Sequence, residues 1–227
     1  LERTRPMKQT ITIIIASFIL TFCASSTFGQ TTAKKKLKEC PNNMVHIPAG
    51  NFISGRADDP KEMFIDTFCI DRFETTQSEY EQMTDFNPSH FPDGFHPVER
   101  ITWDEATAYC KKLGKRLPTE WEWEKAAKAG TDSNFYWGNI VDGDYVWYVG
   151  NSDRKTHRVG QKKPNSFGLF DITGNVWEWT SSDHEETGKK VLRGSSWYNG
   201  PSLMGSAYRN KSKPEVRGSG FGFRCAQ

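Results

Sequence analysis

From Thr102 to Gly114, apolar residues fall at Ala106, Tyr109, Cys110 and Leu113. This is the i, i+3, i+4, i+7 spacing of one helix face, and Gly114 supplies a C-terminal stop. The segment opens on a capping box, Thr102 followed three residues later by Glu105, in which each side chain takes an otherwise unpaired backbone N–H. Thr76–Glu79 and Thr119–Glu122 repeat the device, so three helices are predicted, the third running from Thr119 to Gly130 behind Pro118. Short strands are predicted in "MVHIPAG", "MFIDTFCI", "VLRGSSW" and "GFGFRCA". The glycines of "GSGFGF" (Gly218 to Phe223) follow no strand–helix phosphate pattern, so this stretch reads as a terminal hairpin. From Thr131 to Gly168, Gly, Asn, Asp, Pro and aromatic residues mix without periodicity. The expected fold class is α+β, a single compact domain with low regular secondary structure, whose long loops call for disulfides or metal ions to hold them.

The front of the chain has a different pattern. After Met7 and Lys8, an apolar stretch from Ile11 to Phe22 gives way to small residues, as in a secretory signal peptide. The stretch is too short to span a bilayer comfortably, so no transmembrane helix is expected in the mature protein. Cleavage after Gly29 would leave Gln30 as the mature terminus. The rival reading is lipidation at Cys23, against which stands the bulky Phe22 where a lipobox wants a small residue. The expected organisation is residues 1–29 as upstream residues and leader, 30–39 as a basic flexible tail, and 40–227 as the domain. Removing 1–29 takes Arg3, Arg5, Lys8 and Glu2, which turns the formal net charge of +2 into zero. No nucleic-acid partner is therefore expected, and "KKKLK" (Lys34 to Lys38) reads as a solvated tail.

Export to an oxidising envelope or secreted location makes Cys40, Cys69, Cys110 and Cys225 candidates for two disulfides, with three possible connectivities. Metal ligation is the weaker reading, because no CxxC pair exists and the spacings are wide.

The stretch "DITGNVWEW" places Asp171 and Glu178 inside an aromatic and aliphatic run. The simplest reading is a turn in which Asp171 bonds nearby backbone amides and Glu178 pairs with a lysine. A second reading comes from a resemblance. The segments "MVHIPAGNF", "HPVERITWDEATAYCKKLGKRLPTEWEWEKAAKAG", "PNSFGLFDITGNVWEW", "VLRGSSW" and "GFGFRCA" follow one another in order. Together they resemble the formylglycine-generating-enzyme (sulfatase-modifying-factor) family, over roughly Cys40 to Gln227. The resemblance implies a C-type-lectin-like variant fold and a Cys110–Cys225 bridge, leaving Cys40 and Cys69 for each other. It also implies structural Ca²⁺ held by the side chains of Asp171 and Glu178 and the backbone carbonyls of Gly174 and Val176, a set of hard oxygen ligands suited to that cation. The family's other calcium site would use Asn151, but no acidic partner is evident after Asp153.

The chain departs from the family at its oxidase centre. The copper-dependent members bind Cu(I) between two cysteines five residues apart, and here those positions carry Asn199 and Met204. Cu(I) selects soft thiolates, and an amide cannot complete such a site. No copper and no formylglycine-generating activity are expected. Ser196 matches a serine of the family's groove, so Ser196, Trp197, Asn199, Met204 and Arg209 are the groove candidates. Non-haem iron would need two histidines and a carboxylate, whereas His46, His90, His96, His157 and His184 are scattered in sequence, with convergence in space left open. No GxSxG nucleophile elbow occurs. The expected function is an exported, calcium-stabilised binding or accessory domain of the cell envelope with a peptide, protein or glycan ligand. The alternative is a metal-dependent oxidoreductase, using iron or copper, that acts on a peptide or small molecule.

Overall fold

A computed structural model describes residues 1–2, 39–55 and 58–227. The leader, Cys23 and nearly all of the basic tail lie outside the described residues. Lys38–Gln227 forms one compact unit. In chain order it contains β1 (Met44–Ile47), β2 (Gly50–Ser54), β3 (Lys61–Ile65), β4 (Phe68–Asp71), α1 (Gln77–Thr84), α2 (Trp103–Lys112) and α3 (Glu120–Lys128). After a long irregular stretch come β5 (Trp177–Asp183), β6 (Lys190–Arg193), β7 (Asn210–Ser212) and β8 (Phe221–Gly222).

All three helices begin on the expected capping boxes, with Thr76, Thr102 and Thr119 as N-caps and Glu79, Glu105 and Glu122 reaching back. Leu113 caps α2 and stays 39% exposed, so the buried face of that helix is Ala106, Tyr109 and Cys110. Gly114 follows with φ +70°, a left-handed stop. Helix α3 is closed by Ala129 in the left-handed region and has no polar solvent face: Glu120, Glu122, Glu124, Lys125 and Lys128 are all buried. Each of these charges has a partner. Glu122 pairs with Arg116 at 2.6 Å and Glu124 with Arg193 at 2.5 Å. The ammonium groups of Lys125 and Lys128 donate to carbonyls of the β2–β3 hairpin and its rim, at Gly50, Ile53, Gly55 and Ile65.

β1 pairs with β4 and β2 with β3, both antiparallel; the main sheet has the order β7-β6-β5-β8. β8 runs parallel to β5, pairing Trp177 with Phe221 and Glu178 with Gly222, so the chain end is a threaded parallel strand and not the expected hairpin. β5 was hidden in the sequence because its first four residues are all buried and show no alternation. The period of two nevertheless sorts them. Trp177 and Trp179 enter one core cluster with Tyr109, Cys110, Phe223 and Cys225. Glu178, between them, bonds Trp123 of the second cluster, which also holds Ile47, Ile70, Leu169 and Ile172. Disulfides join Cys110 to Cys225 and Cys40 to Cys69, the pairing that the resemblance implied.

Candidate functional site

Two neighbourhoods hold the candidate residues. The first is a buried carboxylate cluster around the "DITGNVWEW" stretch. Asp171 (φ 51°), Gly174 (φ 88°) and Asn175 (φ 55°) turn the chain so tightly that a Cβ on Gly174 would sit 2.3 Å from the Trp147 carbonyl oxygen. Asp171 Oδ2 accepts from the Gly160 amide at 2.6 Å, while Asp171 Oδ1 is buried with no hydrogen-bond partner. Glu178 does not pair with a lysine. Arg224 Nε reaches its two carboxylate oxygens at 2.9 and 2.8 Å, Arg224 Nη2 donates to it at 2.8 Å, and Trp123 Nε1 adds a bond at 2.7 Å. A third acid, which sequence reasoning missed, completes the cluster. Glu74, brought in from the segment after β4, accepts from the Val176 amide and from Asn175 Nδ2.

Burial pushes the Asp171 carboxyl up to about 6. Burial first, and then the neighbouring Asp171 and Glu178, push Glu74 well above the usual carboxylate range. Three fully buried carboxylates share one guanidinium, Arg224, and burial relieves the imbalance by favouring the protonated forms of Glu74 and Asp171. The open oxygen of Asp171 is a hard donor of the kind a divalent cation takes, and such an ion would displace those protons. Glu178 is different: both its oxygens are committed to Arg224 and Trp123. Among the described residues no group of three His, Cys, Asp or Glu side chains is placed to hold a metal. A cation here would rest on Asp171 with backbone carbonyls. Asn151 is a loop staple, its Oδ1 accepting from the Tyr148 amide and its Nδ2 donating to the Val146 carbonyl at 2.9 Å.

The second neighbourhood is an open cleft of about 470 Å³ lined by His90, Phe91, Val149, Arg154, Trp197, Tyr198 and Ser219. Trp197 is its fixed wall: its backbone N–H bonds Asn175 O, its carbonyl accepts from Ser152 Oγ and its indole donates to Ser219 O. Phe91 and Tyr198 stand edge-on to it, with ring centroids 5.4 and 4.9 Å away. A Cβ on Gly220 would meet the Tyr198 ring at 2.4 Å, so that glycine lets the tyrosine lie back beside the cleft.

The groove candidates separate. Trp197 lines the cleft, and Ser196 lies buried beside it, donating to Asn199 Oδ1 at 2.6 Å. That same oxygen accepts from Trp177 Nε1 at 2.8 Å. Met204 is fully buried with Phe135 and Val146, a small core of its own. Arg209 does not line the cleft; it forms a double hydrogen bond with Glu120, pairs with Glu185 and lies over Trp121. Met204 and Arg209 are thus packing and ion-pair residues. Of the histidines only His96 and His157 approach each other, stacked at 6.4 Å, with His157 also lying 3.7 Å from the Trp147 ring. Burial holds both imidazoles below their ordinary pKa.

Two further residues were invisible in the sequence. Glu99 is completely buried and accepts from the amides of His90 and Phe91, so it shapes the cleft wall from behind; its Oε2 has no partner and burial pushes its carboxyl up to about 7. Arg154 owes its position to backbone conformation, for which the residue types of "NSDRK" give only a weak signal in their Asn and Asp.

Residues 29–227 match the family model described as Sulfatase-modifying factor enzyme 1-like domain. The chain is 36% identical over 151 residues to the inactive C-alpha-formylglycine-generating enzyme 2 of Mus musculus, a match covering 57% of this chain and 48% of that one. It therefore spans about half the length of that relative. It is 29% identical over 282 residues to the formylglycine-generating enzyme of Bos taurus, covering 82% and 75% of the two chains. Among solved structures, Treponema denticola variable protein 1 superposes with a TM-score of 0.74 at 30% identity, covering 81% of this chain and 94% of that one.

Proposed function

The chain belongs to the sulfatase-modifying-factor family, and we propose that it is an exported, calcium-stabilised binding module of that fold without formylglycine-generating activity. One observation carries the reading. At the two positions where the copper cysteines would stand, Asn199 has its amide oxygen tied down by Trp177 and Ser196, and Met204 is sealed in a core cluster. Neither offers a thiolate, and Cys40, Cys69, Cys110 and Cys225 are all oxidised in disulfides. The cleft beside Ser196 is walled by aromatic side chains, the residue type that dominates recognition surfaces because it offers large contact area at little entropic cost.

Calcium enters as a structural ion. Asp171 Oδ1 is the side-chain oxygen open to it, and the carbonyls of Gly174 and Val176 would join it as the family resemblance implies. Water would fill the remaining positions, and the ion would replace the protons that burial favours on the cluster. Export is supported by the two disulfides, which persist in oxidising compartments. The test is turnover. The purified domain, supplied with Cu(I), oxygen and a cysteine-containing peptide, should leave the peptide mass unchanged. Conversion of that cysteine to formylglycine would overturn the reading.

A further inference from the structure

The geometry points to a specific ligand class for the aromatic cleft: a peptide segment carrying a carboxylate beside an apolar or aromatic side chain, its carboxylate received by Arg154. This rests on the reading of the domain as a binding module. Arg154 sits on the tight turn after Asn151 with φ 60°, directly behind Asp153 at φ 51°. Two successive non-glycine residues in the left-handed region cost on the order of 1 kcal/mol each, and such a pair persists only where the surroundings impose it. Here they do: the amides of Asn151 and Ser152 both bond Tyr148 O, Lys155 N bonds Ser152 O, and the Asn151 side chain clamps the same turn. The strained turn thus fixes the backbone from which Arg154 reaches the cleft.

The guanidinium has no hydrogen bond and no ion pair with any described residue. Arg158, Arg209 and Arg217, also on the surface, are paired with Asp93, Glu120 and Glu105. No Asp or Glu lines the cleft, so its only formal charge is positive. Beside that charge lies an apolar surface held in readiness: Val149 is 55% and Tyr198 40% exposed, and Trp197 is pinned through its backbone and its indole. A planar guanidinium next to rigid aromatic faces suits a carboxylate attached to an apolar group, which it can bind through two parallel hydrogen bonds. A neutral glycan would leave the cation uncompensated.

The test uses the whole domain, calorimetry and three probes: the peptide Gly-Phe-Asp-Phe-Gly with blocked ends, its Asp→Asn counterpart, and maltohexaose. The aspartate peptide should bind roughly 10-fold or more tighter than the asparagine peptide, the worth of one charge-assisted hydrogen bond, and this preference should shrink as salt rises. Arg154→Gln removes the charge from a side chain that makes no hydrogen bond or ion pair with the described residues. Its melting temperature should match the wild type, and it should bind the two peptides alike. Equal binding of both peptides by the wild type, absence of saturable binding of the aspartate peptide, or a preference that survives Arg154→Gln would each overturn the proposal. Binding of maltohexaose in place of the peptides would also overturn it while leaving a binding module. Formylglycine formation in the turnover assay would strike the broader reading instead.

Discussion

Removing the charge of Glu178 should be costly, and removing that of Arg224 costlier still. Glu178 and Arg224 are 1% and 0% exposed in their side chains, and every oxygen of the carboxylate is hydrogen-bonded. Taking one partner from a buried, well-bonded ion pair costs about 3–5 kcal/mol. Glu178→Gln belongs near the lower end, because Asp171 and Glu74 remain to offset Arg224. Its new amide N–H₂ would also face Arg224 or the Trp123 indole N–H, donor against donor. Arg224→Met belongs at the upper end or beyond. It leaves three buried carboxylates without their cation and also strips donors from the carbonyls of Asp71, Arg72 and Phe170. For a domain of this size, about 3 kcal/mol corresponds to a melting temperature lower by roughly 6–12 °C. Urea unfolding followed by tryptophan fluorescence, in saturating calcium and again with chelator, measures both variants. Asp171→Asn should abolish the response to chelator, whereas Glu178→Gln should keep part of it, because the oxygen open to a cation belongs to Asp171. A Glu178→Gln loss below about 1 kcal/mol, or an Arg224→Met loss no larger than that of Glu178→Gln, would refute the charge accounting.

The two disulfides should differ in worth. Cys110–Cys225 spans 115 residues and lies in the core, whereas Cys40–Cys69 spans 29. Loop-closure entropy gives about 5 and about 3.5 kcal/mol, so paired Cys→Ser replacement of the first should leave the domain poorly folded at 37 °C while the second remains measurable by thermal melting. Glu99 should make the domain less stable as pH rises. Its carboxyl is raised from 4.5 to about 7 in the fold, so the folded state holds a proton that the unfolded chain has lost. The stability this proton represents is full below 4.5 and gone above about 7, on the order of 1–2 kcal/mol after allowance for solvent screening. Glu99→Gln should reduce this slope in unfolding series from pH 5 to 8, leaving the part of the same sign that Asp171 and Glu74 contribute, and an unchanged slope would place the proton elsewhere. Mass spectrometry of protein exported by a cell should find a terminus near Gln30 with no acyl chain, and a diacylglyceryl-Cys23 terminus would contradict it.

What the sequence showed, and what it hid, follows from the range of the interactions. The capping boxes at Thr76, Thr102 and Thr119 were legible because each is closed within three residues. Tertiary pairing was not. Nothing near Arg193 or Arg224 in sequence announces Glu124 or Glu178, which lie 69 and 46 residues away, yet these pairs let charges enter the core. Helix α3 shows a polar pattern and is buried all the same, since its lysines spend their donors on the carbonyls of the β2–β3 hairpin. β7, "NKS", carries no strand signal and exists because β6 offers it an open edge. At the site, the residue types of "DITGNVWEW" suggested oxygen chemistry, but Glu74 joins from about a hundred residues upstream, at a separation where sequence patterns are silent. The groove candidates scattered for the same reason: Ser196 and Trp197 lie in the turn that follows β6, at and beside the cleft, while Met204 and Arg209 answer to contacts that neighbouring residues do not reveal.

The central claim, a binding module stabilised by a hard cation and lacking a redox metal, is tested most directly by elemental analysis of the purified mature protein after mild dialysis. The account predicts calcium, with neither copper nor iron approaching one atom per chain. Stoichiometric copper or iron would contradict it and restore the oxidoreductase reading.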